Sequence, residues 1–152
     1  MAGEKEKLKK EKYNKLYLDI ADRISQMSFA RRLHVGAVIV KNHNIISFGW
    51  NGMPAGWDNN CEDEIPDITG DNEFVLRTKP EVLHAEQNAI AKLAKSTESG
   101  SGATMFITHA PCLDCAKLVY QSGINSVFYR NSYRNEDGIQ FLEKCNVKVE
   151  KV

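Results

Sequence analysis

Residues 103–130 have the sequence ATMFITHAPCLDCAKLVYQSGINSVFYR, in which two apolar runs flank a cysteine-bearing amphipathic stretch. The runs at 103–109 and 125–130 are short and rich in Ile, Val, Phe and Tyr, a composition that favours strands. Between them, residues 111–121 have helical spacing, and Gly123 follows as the residue type that commonly ends a helix. The order strand, helix, strand predicts a right-handed crossover between parallel strands.

The same alternation continues on both sides of this stretch. Downstream, residues 138–145 predict a helix and residues 147–152 a fifth strand. Upstream, apolar residues at helical spacing predict a helix over 81–95, followed by a Ser/Gly loop at 96–102. Helices and strands therefore alternate after position 80, which predicts an α/β fold with mostly parallel strands and helices on both faces of the sheet.

The amino-terminal part predicts an amphipathic helix and an antiparallel hairpin. Apolar side chains recur every three or four residues over 13–27, whereas residues 1–12 are dense in charge and are expected to be coil or an extension of that helix. Apolar runs at 35–40 and 45–50 predict two strands joined by a turn at 41–44. The hairpin adds an antiparallel edge, so we expect a five-stranded mixed sheet.

Residues 51–78 differ from the rest of the chain because Gly, Pro, Asn and Asp recur there without a sustained period. A long stretch without its own secondary structure is more often functional than idle. No internal repeat is visible, and 152 residues suit one domain spanning 1–152.

The composition limits the classes of function. Lys plus Arg and Asp plus Glu both number 20, so the formal charge is zero, whereas proteins that bind nucleic-acid backbones usually carry a basic excess. No apolar run is long enough for a membrane helix, and the charged amino terminus is not a secretory signal. We therefore expect a cytoplasmic protein (in the host cytoplasm if it is viral) that acts on a small molecule, without membrane or nucleic-acid partners.

Two short motifs carry chemistry: His84-Ala-Glu86 and Pro111-Cys112-Leu-Asp-Cys115. A catalytic zinc site takes three protein ligands and leaves the fourth position to water, and one imidazole with two thiolates makes such a set. The two cysteines lie three residues apart, so a helix places them on one face, and Pro111 suits the first helical position. The dipole of a helix N-terminus also favours the thiolate form of cysteine.

Glu86 follows the predicted ligand His84 by two residues and is expected to face the same cavity without binding the metal. Zinc lowers the pKa of bound water from about 15.7 to about 7, and a neighbouring carboxylate can move the released proton to the substrate. H-x-E with P-C-x-x-C is the signature of zinc deaminases. A redox dithiol would not need the H-x-E motif, and a closed structural zinc would need Cys61 or Cys145, which lack ligand-like spacing. Cys145 is expected in the core, and the role of Cys61 stays open.

The sequence resembles the deoxycytidylate (dCMP) deaminases from about position 33 to the end. Beyond the two zinc motifs, the resemblance rests on VGAVIV at 35–40, GWNGMPAG at 49–56, NAI at 88–90 and CAK at 115–117. It implies hydrolysis of dCMP to dUMP and ammonia for thymidylate synthesis, in a three-layer cytidine deaminase-like fold whose last two strands are parallel. It also implies a homohexamer that is activated by dCTP with Mg²⁺ and inhibited by dTTP.

The resemblance also implies roles for individual residues. His84, Cys112 and Cys115 match the zinc ligands, and Glu86 matches the proton shuttle. The residues matching family contacts to the nucleotide are Asn51, the backbone at Ala85 and Ala110, and Tyr133. The candidates for the cation that binds the phosphate are Arg77, Arg130 and Arg134. The candidates for an effector site are Gly49, Trp50, Gly52 and Glu62.

The chain departs from the family pattern at three places. Trp50 replaces the commoner tyrosine. His109-Ala110 precedes the P-C motif where relatives often have an apolar or hydroxyl residue, and His109 is expected either to touch substrate or to end a strand. Residues 28–34 contain no cysteine for a second zinc, so we expect one zinc per subunit. The alternatives are a tRNA adenosine deaminase, a deaminase that also accepts dCTP, a free-nucleoside cytidine deaminase, and an inactive deaminase fold that serves as a binding module.

Overall fold

The computed structural model describes all residues, 1–152, and contains four helices and seven strands. The helices are α1 (Ala2–Ser25), α2 (Ala85–Leu93), α3 (Leu113–Gln121) and α4 (Asp137–Lys144). The strands are β1 (Gly36–Lys41), β2 (Asn44–Trp50), β3 (Glu62–Pro66), β4 (Phe74–Thr78), β5 (Thr104–His109), β6 (Ser126–Asn131) and β7 (Lys148–Lys151). No helix combines the length and the apolar composition that crossing a bilayer requires.

Five of the strands form one mixed sheet in the order β2-β1-β5-β6-β7. Strand β1 pairs antiparallel with both β2 and β5, whereas β5 with β6 and β6 with β7 are parallel pairs. The parallel pairs are connected by α3 and α4, as crossover connections require. The predicted α/β fold, with a five-stranded mixed sheet and parallel last strands, is confirmed.

Helices cover both faces of this sheet. Side chains alternate between the two faces along each strand, and apolar side chains on both faces have to be buried. On one face, α1 packs through Leu18 and Ala21 against side chains of β1, β5 and β6, including Val38 and Phe106. On the other face, α2, α3 and α4 bury the larger apolar cluster, which contains Met105. The three-layer arrangement therefore agrees with the expectation.

The amino-terminal helix is longer than its apolar pattern predicts. Helix α1 begins at Ala2, so all but the first residue of 1–12, expected as coil or helix extension, is helical. It ends at Ser25, two residues before the predicted end. Its first three turns are exposed and rich in Lys and Glu, which are good helix formers even where no apolar face is buried.

The segment 51–78 was expected to be irregular, and this expectation is wrong for its second half. Strands β3 and β4 form a separate antiparallel hairpin in which Glu62 pairs with Thr78 and Pro66 with Phe74. The connecting loop is closed by Asp67, whose carboxylate accepts hydrogen bonds from the backbone N–H of Thr69 and Asn72, each at 3.0 Å. Both strands are largely exposed, so the apolar alternation that identifies a strand is missing.

Helix α2 lies unusually close to the edge strand β2, and Gly49 makes this approach possible. A Cβ atom at Gly49 would lie 2.5 Å from the backbone oxygen of Ala85 and 2.7 Å from the backbone nitrogen of Ala89. Ser47 fixes the same contact by donating a 2.6 Å hydrogen bond to the Ala89 carbonyl. The first turn of α2 is therefore positioned by backbone-to-backbone packing on β2.

We expect Gly49→Ala to lower the free energy of unfolding by about 3 kcal/mol, because the added methyl group would collide with helix backbone that cannot yield without moving. Gly52→Ala is the matched control, since a Cβ there has nothing within 4 Å, and its effect should stay within about 0.5 kcal/mol. Urea denaturation of the two variants measures both values. Equal stability of the two variants would contradict the packing role of Gly49.

Candidate active site

The first zinc motif lies at the start of α2. His84 is the N-cap residue, and its backbone N–H donates a 2.7 Å hydrogen bond to Oε1 of Gln87. This local contact fixes the helix start, as capping boxes do. Glu86 follows in the first turn, so the imidazole and the carboxylate share one end of the helix.

The second zinc motif lies at the start of α3. Cys112 is the N-cap residue and Cys115 occupies the third helical position, with the Cys115 N–H directed at the Cys112 sulfur at 3.5 Å. Pro111 therefore precedes the cap, and the prediction that it occupies the first helical position is wrong, because a sulfur cap takes the place before Leu113. Gly138 of α4 supports the motif from behind, since a Cβ there would lie 2.2 Å from the Pro111 carbonyl oxygen.

The two helix starts bring His84, Cys112 and Cys115 together. Nδ1 of His84 lies 3.2 Å from Sγ of Cys115 and 3.7 Å from Sγ of Cys112, and all three donor atoms lie within 4.8 Å of one another. A tetrahedral zinc with these ligands needs donor separations of about 3.6 Å for N···S and about 3.8 Å for S···S. The donor set therefore fits a zinc ion.

The protein offers three ligands to this site and no fourth. Neither Cys61 nor Cys145 belongs to the cluster, and the protein contains no other group of three His, Cys, Asp or Glu donors at such separations. Cys61 is instead buried in a small cluster with Ala30 and Val82, and Cys145 is half-buried beside the main core. Three protein ligands with a free fourth position are typical of catalytic zinc sites, whereas structural sites are closed by four.

The protein groups alone already favour a thiolate at Cys112. Hydrogen bonds from the Cys115 thiol and then from His84 lower the pKa of Cys112 to about 4. The same contact with Cys112, together with burial, raises the pKa of Cys115, and the pKa of His84 is raised chiefly by its hydrogen bond to Cys112. One negative charge is thus present before any cation arrives, as metal binding by thiolates requires.

Glu86 is buried beside the ligand set, with 5% of its surface exposed. Burial is the largest influence on the Glu86 carboxyl and raises its pKa. A carboxyl group with a raised pKa exchanges protons more readily near neutral pH than an exposed one. Its position beside the three donors is the one expected for a proton shuttle.

A cleft with a volume of about 330 Å³ opens onto His84, Glu86 and Cys112. This volume lies at the lower end of the range for small-molecule sites. The cleft is also lined by five residues that the sequence predicts as substrate contacts, namely Asn51, Ala85, Ala110, Tyr133 and Arg134. The structure therefore brings two of the three predicted zinc ligands, Glu86 and five of the seven predicted nucleotide contacts to one cavity.

Two of the three predicted phosphate cations lie elsewhere. Arg130 extends to the opposite face of the sheet, where it pairs with Asp19 at 3.0 Å and with Asp22 of α1. The side chain of Arg77 is 67% exposed on the hairpin and lies 4.0 Å from Asp63. Only Arg134 of the three lines the cleft.

The structure adds Arg32, which the sequence interpretation missed, as a second cation in the cleft wall. Arg32 is one of 20 basic residues and lies in a segment without periodic pattern, so no sequence signal separates it from surface arginines. Other lining residues that the sequence does not predict as substrate contacts include Leu33, Val35, Thr78, Val82 and Asn135. His109, predicted either to touch substrate or to end a strand, is the last residue of β5 and also lines the cleft.

Asn51 shapes the cleft through its side-chain amide. Its Nδ2 group donates to the Leu33 carbonyl and its Oδ1 atom accepts from the Val35 N–H, each at 2.9 Å. The amide therefore holds the segment that leads from Arg32 into β1. Each amide atom retains one further bonding position for a ligand.

The four predicted effector residues occupy different environments. Gly49 lies under α2, and Gly52 forms an isolated bridge with Leu83. The ring of Trp50 stacks on Phe48 with centroids 6.3 Å apart. Glu62 alone of the four lines the cleft. The structure thus does not bring the four together.

Comparison with known proteins agrees with this geometry. Residues 9–131 match the family model described as the cytidine and deoxycytidylate deaminase zinc-binding region. The chain is 36% identical over 153 residues to the deoxycytidylate deaminase of Enterobacteria phage T4, covering 80% of this chain and 79% of the phage protein. It is 35% identical over 141 residues to ComE operon protein 2 of Bacillus subtilis, covering 92% of this chain and 71% of that protein.

A solved structure shares both fold and sequence with the chain. The crystal structure of the dCMP deaminase from the cyanophage S-TIM5 in complex with dCMP and dUMP has a TM-score of 0.82 and 45% identity. The match covers 93% of this chain and 97% of the cyanophage chain. With the family model spanning most of its length, the chain belongs to the cytidine and deoxycytidylate deaminase zinc-binding family.

Proposed function

We propose that the protein hydrolyses dCMP to dUMP and ammonia. The observation that carries this proposal is the cleft that joins a three-ligand zinc set and a buried carboxylate to two arginines, Arg32 and Arg134. The zinc ligands and the carboxylate suit deamination of a nucleobase, and the two arginines suit binding of a monophosphate. The relatives named deoxycytidylate deaminase, and the cyanophage enzyme with bound dCMP and dUMP, support the choice of substrate.

His84, Cys112 and Cys115 would hold the zinc ion, one per subunit, as their donor separations allow. When bound in a site with an open position, zinc supplies an activated water as the nucleophile. Two helix N-termini meet here, and their dipoles further stabilise the thiolates that hold the cation.

Glu86 moves protons in the proposed reaction. Its buried carboxylate would accept one proton from the nucleophile and donate it to ring nitrogen N3 of cytosine. It would then accept the second proton of the same oxygen and donate it to the amine that leaves C4. One water is consumed and one ammonia released, while the carboxylate returns to its starting form. Burial of Glu86 keeps competing bulk water from this proton path.

The nucleotide is oriented from C4 to the phosphate along the cleft. The backbone at Ala85 and Ala110 lies beside the zinc set and is proposed to hold the pyrimidine edge. Tyr133, Arg134 and Arg32 are proposed to bind the phosphate, because arginine presents two parallel donors to phosphate oxygens.

We expect purified enzyme to release ammonia from dCMP in preference to cytidine, dCTP and a tRNA anticodon hairpin, because dCMP alone of the four carries a monophosphate for the two arginines of the cleft. An ammonia assay with the four substrates at equal concentration measures this preference. Turnover of the hairpin without turnover of dCMP would establish the tRNA adenosine deaminase instead. Equal turnover of dCTP would establish the broader deaminase.

Glu86→Gln should retain zinc and lose turnover by roughly 10² to 10⁴-fold, the contribution typical of a positioned acid–base group. Cys112→Ala should lose both zinc and turnover, because it removes a proposed ligand. Cys145→Ala is the matched control, since this half-buried cysteine lies outside the ligand set and should leave both unchanged. Native mass spectrometry beside the ammonia assay decides these outcomes. An active Glu86→Gln enzyme would refute the proton-shuttle role.

We further propose that the enzyme is a homohexamer, activated by dCTP with Mg²⁺ and inhibited by dTTP, and that it acts in the cytoplasm. This part rests on the resemblance to the deoxycytidylate deaminases. We expect sigmoidal dCMP saturation that becomes hyperbolic with dCTP and Mg²⁺, and a lower rate with dTTP. Steady-state kinetics and multi-angle light scattering measure the two properties. Rates that respond to neither nucleotide would remove the regulatory part and leave the deaminase assignment intact.

A further inference from the structure

Glu62, on the first strand of the β3–β4 hairpin, binds the backbone that precedes the cleft. Its side chain is 1% exposed, and one oxygen, Oε2, accepts hydrogen bonds from the consecutive N–H groups of Arg31 and Arg32, each at 2.9 Å. Consecutive N–H groups that converge on one anion form a nest, a strong way to fix a short irregular segment. The backbone of Arg32 is thus attached to the hairpin.

The same hairpin also holds the other end of Arg32. Nη1 of its guanidinium donates a 2.8 Å hydrogen bond to the hydroxyl of Thr78. Thr78 is the residue that pairs directly with Glu62 across the two strands. One cross-strand pair therefore anchors both the backbone and the guanidinium of Arg32, and all three residues line the active-site cleft.

Stability alone is a poor reason to bury a carboxylate at this position. The second oxygen of Glu62, Oε1, is buried without a hydrogen-bond partner, and its nearest cation, Nε of Arg31, is 3.8 Å away. A buried charge that is incompletely paired costs free energy, and an apolar replacement is often no less stable. Such a cost is typical of groups retained for function.

We propose that Glu62 is a positioning residue for phosphate recognition: together with Thr78 it holds Arg32 in the cleft wall so that the guanidinium meets the substrate phosphate. This inference rests on the proposed function. An arginine fixed at both ends has fewer conformations to lose on binding, so more of its interaction with phosphate appears as affinity. The β3–β4 hairpin is in this way part of the nucleotide site.

Glu62→Gln keeps the size of the side chain but removes its charge, so the two N–H groups lose a charge-assisted acceptor. We expect the dissociation constant of dUMP to rise roughly tenfold, as for the loss of one such hydrogen bond, with kcat for dCMP unchanged. Affinity for deoxyuridine, which lacks the phosphate, should not change. Isothermal titration calorimetry of the zinc-loaded protein with both ligands measures this difference.

Two controls isolate the contribution of Arg32. Glu64→Gln removes a charge from the same hairpin, and Glu64 pairs with Arg31 at 2.9 Å outside the cleft, so dUMP affinity should stay unchanged. Arg32→Ala should weaken the binding of dUMP but not that of deoxyuridine. Arg77→Ala, on the exposed side of the hairpin, should leave the binding of both ligands unchanged. In the Arg32→Ala background, Glu62→Gln should have no further effect on the ratio of the two affinities.

Equal weakening of dUMP and deoxyuridine by Glu62→Gln, no weakening at all, or an additive effect in the Arg32→Ala background would each overturn the inference. If Glu62→Gln lowers the melting temperature or zinc content, Thr78→Val tests the same link, because it releases the guanidinium and leaves the carboxylate in place. Thr78→Val must then weaken dUMP selectively. Wild-type protein that neither binds dUMP nor deaminates dCMP would overturn the proposed function itself, whereas an active wild type with unselective variants overturns only the role of Glu62.

Discussion

The convergence of two helix N-termini on one point is the constraint on which the rest of the structure depends. His84 caps α2 and Cys112 caps α3, and the 3.2 Å separation between His84 Nδ1 and Cys115 Sγ exists only if both helices start at the same place. Each start is packed against backbone at a position that tolerates no side chain. The start of α2 packs on Gly49 of β2, and the start of α3, at Pro111 and Cys112, packs on Gly138 of α4. The metal site is therefore a product of backbone packing as much as of ligand identity.

This convergence also explains the electrostatics of the site. Hydrogen bonds from the Cys115 thiol and from His84 lower the pKa of Cys112, so a thiolate is favoured there. The positive ends of two helix dipoles act in the same direction. Glu86, two residues after His84 in the first turn of α2, lies near the same dipole end. Its burial is the largest influence on the carboxyl group and raises its pKa. The site thus contains a thiolate at Cys112, which suits a cation, and a nearby carboxyl group at Glu86, which suits proton exchange.

The parts of the molecule that could be predicted from the sequence are those with a local or periodic signal. Ligand spacing is local, so the sequence predicts the grouping of His84, Glu86, Cys112 and Cys115 that the structure shows. The period and order of the apolar runs predict the sheet with its parallel last strands. Arg130 and Arg32 show the opposite case, because nothing near them in sequence distinguishes an arginine paired with α1 from one in the cleft wall. The β3–β4 hairpin was not predicted for a related reason. Its strands are largely exposed, so their sequences lack the alternation of apolar and polar residues that identifies a strand.

That low burial makes the attachment between the hairpin and the cleft reciprocal. A two-stranded hairpin on its own is marginally stable in water, so β3 and β4 depend on contacts with the rest of the chain. Glu62 and Thr78 provide such contacts through residues 31 and 32, so the hairpin that holds Arg32 is itself held by it. Binding energies at linked sites are mutual. A ligand that engages Arg32 in the held position therefore also stabilises the hairpin, so phosphate binding and the stability of the β3–β4 hairpin are coupled.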